Sequence, residues 1–238
     1  MNIRYITARV LAPFSAKPTR LLWVLPILMA MEGPTCVMSE RPLSRLGDAA
    51  VDERLLGDWV EPSAEPTGGW YSVRRNEAGG IEIRAIEADG TYLVMDGYTS
   101  QVGDLSFLNL QYVRADCLGC TDAELAAWQQ EFADDYSTLT VSNPANTCTW
   151  LIQYYHFDED GAVHFVIPDD EPVLDAFETG ELDGREGKDA ATASEFDGIC
   201  LTGSMRQIRR FMANSVDELF LDTNDEVFVR RSVDAVSQ

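Results

Sequence analysis

Lysine and histidine are almost missing from this chain once its first segment is set aside. Past residue 35 Lys188 is the only lysine, and His156 and His164 are the only histidines in all 238 residues. Eighteen basic residues stand against forty acidic ones. Four of the basic residues (Arg4, Arg9, Lys17, Arg20) but one acid (Glu32) precede Cys36, so the remainder holds fourteen basic and thirty-nine acidic residues, a net charge of −25. Such a surface repels phosphate backbones and anionic headgroups, which excludes a nucleic-acid partner and docking on a membrane by charge. It implies a strongly solvated exterior, with cation binding as the alternative use.

The common catalytic patterns are absent too. There is no Gly-x-Ser-x-Gly elbow, no His-Glu-x-x-His helix and no phosphate-binding glycine loop. The acidic runs at 158–160, 169–171 and 222–226 fit no EF-hand: counting from Asp222, the sixth position is Val227 where glycine is needed and the twelfth is Val233 where glutamate is needed. They read as solvated turns. Ser204, in Thr202-Gly203-Ser204-Met205, would need one of the two histidines as its base. A carboxylate pair for glycoside cleavage cannot be picked out of so many acids. The expectation is a non-enzyme with no catalytic residues and no cofactor.

No apolar run is long enough to cross a membrane. The longest, residues 21–31, has eleven residues behind a basic leader, where a spanning helix needs about 20. That is the build of a secretory signal core, so the chain is expected to be exported. Cys36, just past this core, resembles the lipid-modified cysteine of bacterial lipoproteins. The resemblance implies cleavage before Cys36, acylation there, and a location in the bacterial cell envelope, held to a membrane by the N-terminal lipid. Cys117, Cys120, Cys148 and Cys200 then remain as an even set in an oxidising compartment. They read as disulfides with all three pairings open; a four-thiolate zinc site is the alternative. Residues 1–35 are thus the signal peptide. Residues 36–54, with Pro42, Ser44, Gly47 and mixed charge but no period, read as a tether with a helical turn near its end, and 55–238 as one folded domain.

What the folded part has in abundance is short apolar alternation broken by turn residues. Residues 70–73, 81–87, 91–95, 105–113, 138–141, 149–157, 162–167, 199–202 and 227–230 read as strands, with hairpin turns at Asp89-Gly90, Gly103-Asp104 and Asp158–Gly161. Thr121 and Glu124 form a capping box that opens a helical insertion near 121–136, with Leu125, Trp128 and Phe132 on one face. Shorter helices are expected over 172–179 and after Ser204. The fold class is mainly β (α+β), an antiparallel barrel or strongly curved sheet of eight to ten strands with two to three helices.

Gly57-x-Trp59, in the stretch 55–60 that opens the folded part, resembles the Gly-x-Trp motif on the first strand of lipocalins, eight-stranded barrels around small apolar ligands. The whole layout, with Phe107-Leu-Asn-Leu110 and a terminal strand–helix–strand, resembles lipocalin-like bacterial lipoproteins of unassigned activity. The resemblance implies that Trp59 closes one end of the barrel beneath Arg230 or Arg231. It also implies an apolar ligand or an envelope partner at the barrel, with Trp59, Trp70, Tyr92, Phe107 and Trp128 as candidate lining. Two further readings stand beside it: a structural or assembly lipoprotein with a solid barrel, and a metal-dependent enzyme at His156 and His164. If residues 159–161 form a three-residue loop, the two histidines fall opposite each other on one sheet face; a two-residue turn would separate them.

Overall fold

The computed structural model describes residues 36–45, 51–62, 68–136, 147–166, 168–186, 198–220 and 225–231. The expected signal segment and the expected strand at 138–141 lie outside them. The described residues open with β1 (Cys36–Ser39) and a 3-10 turn at Glu53–Leu55, followed by β2 (Gly57–Val60), β3 (Trp70–Arg75), β4 (Ile81–Ile86), β5 (Thr91–Val102) and β6 (Leu105–Cys117). Helix α1 (Asp122–Tyr136) separates these from β7 (Trp150–Phe157) and β8 (Val163–Val166). Then come α2 (Asp170–Glu178), β9 (Gly184–Glu186), β10 (Gly198–Leu201), α3 (Met205–Asn214), α4 (Val216–Leu219) and β11 (Asp225–Arg230).

β2 to β8 and β11 pair in succession, each antiparallel to the next, and β11 returns to β2. The result is a closed eight-stranded antiparallel barrel. Alternate residues point inward, and Trp59, Tyr71, Val73, Ile81, Ile83, Ala85, Leu93 and Met95 fill the interior from one half of the wall. On β6 the inward set runs Leu108, Leu110, Tyr112 and then Ala115, skipping a step. A β-bulge accounts for the phase change: Val94 faces Arg114 while Met95 faces Tyr112, leaving Val113 as the extra residue. Helix α1 interrupts the order of strands in sequence but not in space. Its capping box forms as the sequence implies, with Thr121 N–H 2.8 Å from Glu124, and Phe132 packs into the interior.

Residues 36–45, expected as part of a tether, are held in the fold. β1 runs parallel to β10 and antiparallel to the first two residues of β7, and Val37, Met38 and Leu43 are buried. Asn109, fully buried on the outer face of β6, fastens this segment: its Oδ1 accepts from Leu43 N–H at 2.7 Å, and its amide donates to Ser100 Oγ at 2.8 Å. Among the described residues the fold therefore includes β1, ahead of residue 55. β9 and β10 extend β1 into a small side sheet, and α2, α3 and α4 complete a second apolar core against the outer wall. β9 is a strand that no apolar alternation in the sequence announces.

Candidate functional site

The end of the barrel around Trp59 is built as the motif implies, and Arg230 is the arginine that covers it. Its guanidinium lies 4.0 Å from the Trp59 ring centroid and donates to the carbonyls of Arg54 and Leu56. Gly57 is required there: with φ at +141° it has a conformation side chains rarely adopt, and a Cβ would run into the Arg230 guanidinium. Arg231 stacks instead on Trp70, outside the barrel. The 3-10 turn plugs the opening with Leu55, whose carbonyl accepts from Trp59 Nε1 at 2.7 Å. Asp52 caps that turn and takes hydrogen bonds from the Arg54 guanidinium and the Tyr155 hydroxyl. Partial burial raises the Asp52 carboxyl, but Arg54 outweighs it and holds the group below its usual range.

Behind the plug the barrel is nearly full. The void bounded by Leu55, Trp59, Tyr71, Ile83, Phe165 and Phe228 measures about 20 Å³. The five residues expected to line a ligand cavity do not converge. Trp59 is inside; Phe107 faces out into the second core; Trp70 and Tyr92 form a small outer cluster with Ile86 and Val94. Trp128, on α1, leans on the interior cluster from its edge and donates to the Tyr92 carbonyl at 3.4 Å. A larger cleft of about 560 Å³ is lined by Leu43, Asp52, Arg54, Thr99, Gln101 and Arg209, beside the plug. Its Arg54 is bound to Asp52 and its Arg209 donates to the carbonyls of Leu43 and Gln101. Its rim includes Arg45 and Val51, the two ends of a stretch outside the described residues.

The histidines meet on the outer wall. Asp158 N–H donates to the Ala162 carbonyl, residues 159–161 form the loop, and His156 stands opposite His164 across β7 and β8. Their rings stack at 4.6 Å with planes 15° apart. β11 adds Asp225, whose Oδ2 lies 2.7 Å from His164 Nδ1 and 4.0 Å from His156 Nε2. Asp158 Oδ2 lies 3.4 Å from the other nitrogen of His164. Burial alone would depress the His164 pKa; its hydrogen bonds to Asp225 and Asp158 overcome that and raise it above the ordinary histidine value. Asp225 and Asp158 are the members of this group that sequence reasoning missed. Asp225 sits 61 residues from His164, and only the pairing of β11 with β8 brings it there. Asp158 was in view as a turn residue, and its place two residues from His156 on a hairpin was the usable signal.

The remaining candidates have structural employment. Cys117 is bonded to Cys120 and Cys148 to Cys200, so the four cysteines form two disulfides and none is a free thiolate for zinc. Ser204 caps α3, its oxygen accepting from Gln207 N–H. Asp169 caps α2 in the same way, as a turn acid should. Cys36 is the first residue of β1. No family model, curated protein or solved structure matches the chain.

Proposed function

We propose that this is an exported bacterial envelope protein, lipid-anchored at Cys36, whose barrel is a solid scaffold and whose work is done on its outer surface. The observation that carries the reading is the filled interior. A void of about 20 Å³ has room for about one water, where ligand pockets enclose about 300 Å³ or more. That small void favours a solid barrel over an apolar ligand held inside it, the use that the lipocalin resemblance implies. The partner is then another envelope component that meets a strongly acidic exterior. The position of Cys36 at the head of β1 leaves no spacer between an acyl group and the fold, so the protein would lie against its membrane.

The test is mass spectrometry of protein extracted gently from its own envelope, first native and then denatured. The expected native mass carries no organic molecule that denaturation removes, and the denatured mass shows a chain beginning at Cys36 with acyl groups attached. A lipid-sized mass lost on denaturation would restore the ligand reading. An unmodified Cys36 would remove the anchor.

A further inference from the structure

We infer that His156, His164 and Asp225 form a binding site for a divalent late first-row transition metal on the outer wall of the barrel, a use of the surface that goes beyond the scaffold reading. One ligand atom from each residue lies within 4.8 Å of the other two, and the three come from three adjacent strands, β7, β8 and β11. A rigid closed wall holds that spacing. Metal–nitrogen bonds of about 2.0–2.1 Å need the donors somewhat closer, a change that rotation of the side chains supplies without moving the backbone.

Three features separate this group from an ordinary ion pair across a sheet. The first is an orphan: Asp225 Oδ1 is the buried side-chain oxygen without a hydrogen-bond partner among the described residues. A buried acceptor left unpaired is costly, and a cation held by both oxygens of the Asp225 carboxylate would satisfy it. The second is His156, whose ring is stacked on His164 but whose one polar approach among the described residues is the 4.0 Å contact with Asp225. An ion pair of His164 with Asp225 would be complete without it. The third is Asp158, which approaches the nitrogen of His164 remote from Asp225. If His164 Nδ1 is the ligand atom, Asp158 holds the ring from behind, as carboxylates do for metal-bound imidazoles.

The donor set selects the metal class. Two imidazoles and one carboxylate suit zinc(II), copper(II) or nickel(II), whereas calcium and magnesium prefer all-oxygen cages. With three protein donors and a partly open face (His156 is 40% exposed, Asp225 20% and His164 17%), coordination positions remain for water or a partner's donor. The excess of acids raises the local concentration of any cation.

The experiment is zinc(II) titration of the untagged, chelator-treated full chain by calorimetry, with calcium(II) as competitor, on the wild type, His156→Ala and Asp225→Asn. The wild type is expected to bind one zinc per chain and to melt at a higher temperature with zinc than without. Each variant is expected to bind at least about tenfold more weakly. His156→Ala removes an exposed ring and should melt as the wild type does in the absence of metal, so a loss of binding there is not a loss of fold. No binding by the wild type, equal binding by His156→Ala, or displacement of zinc by equimolar calcium would each overturn the site.

Discussion

The two larger apolar cores among the described residues share one wall, and they are made in opposite ways. The inner core is contributed by strands that are neighbours in sequence, each paired with the next, and every second residue joins it. The outer core is gathered from far apart: Val37 and Leu43 from the start, Ile199 and Leu201 from the side sheet, Ile208, Phe211 and Met212 from α3. These settle on outward residues of the barrel, Val102, Phe107, Ile152 and Val166. The difference is one of assembly. Most of the barrel, β2 to β6 and the β7–β8 hairpin, is built by local pairing and needs only β11 from far along the chain to close it, while the outer core is gathered throughout from segments separated by up to more than 150 residues.

The comparison is broken most sharply by removing one aromatic ring from each core. Phe228→Ala, inside, should cost about 3–5 kcal/mol, read from urea midpoints, with hydrogen-exchange protection lost around the whole barrel. Phe211→Ala, outside, should first strip protection from α3, α4 and β10, leaving β3 to β5 protected. Uniform loss in both variants would mean that the two cores unfold as one unit.

Cutting the covalent tie between the regions comes next. Cys148–Cys200 closes a loop with a sequence separation of 52 and joins the entry of β7 to β10, while Cys117–Cys120 spans a separation of 3. Replacing the first pair by serine should cost about 2–4 kcal/mol and the second less, because the shorter loop restricts the unfolded chain less. Denaturation of both double variants measures the gap; equal losses would contradict the loop-length argument.

Asn109→Ala tests the seam. It leaves Leu43 N–H buried without an acceptor, at about 1–3 kcal/mol, and exchange should accelerate at 36–45 more than within β4 or β5. The smallest effect belongs to Glu87, which continues the inward alternation at the end of β4. Burial, helped by Asp89, raises its pKa from 4.5 to about 7. The folded state then holds the proton over an interval in which the unfolded state has lost it. The contribution is full below the unfolded value and is lost as pH rises through about 7. Urea midpoints at about pH 5 and about pH 8 should therefore favour the lower pH, and Glu87→Gln should flatten that slope. An unchanged slope would assign the effect to general charge repulsion.

The inner core was legible because alternation is a local property. Ile81-Glu-Ile83 names its own inward face, the Asp89-Gly90 turn fixes its partner, and Gly57-x-Trp59 marks the plugged end. The outer core left a subtler trace. Phe107-Leu108 and Leu151-Ile152 place apolar residues on both faces of one strand, which means both faces are covered. Nothing local says by what. Residues 36–45 lacked any period because two strand partners, β7 and β10, hold them in place of an amphipathic face. The histidine register was decided by loop length and so could be counted from the sequence. Asp225 belongs to a pairing between strands whose connection carries three helices and the side sheet, and no count along the chain reaches it.

Closure by β11 also sets a clock. β2, among the earliest strands synthesised, has one edge unpaired until residues 229–230 arrive, and β1 has no parallel partner until residues 198–201 exist. During synthesis the growing sheet therefore always has an unsatisfied border, and the barrel cannot seal before the last strand is released. A barrel closed by pairing β11 with β2, some of its latest residues with some of its earliest, stays open through most of its translation, an interval in which its strand edges are exposed to any other chain that can pair with them.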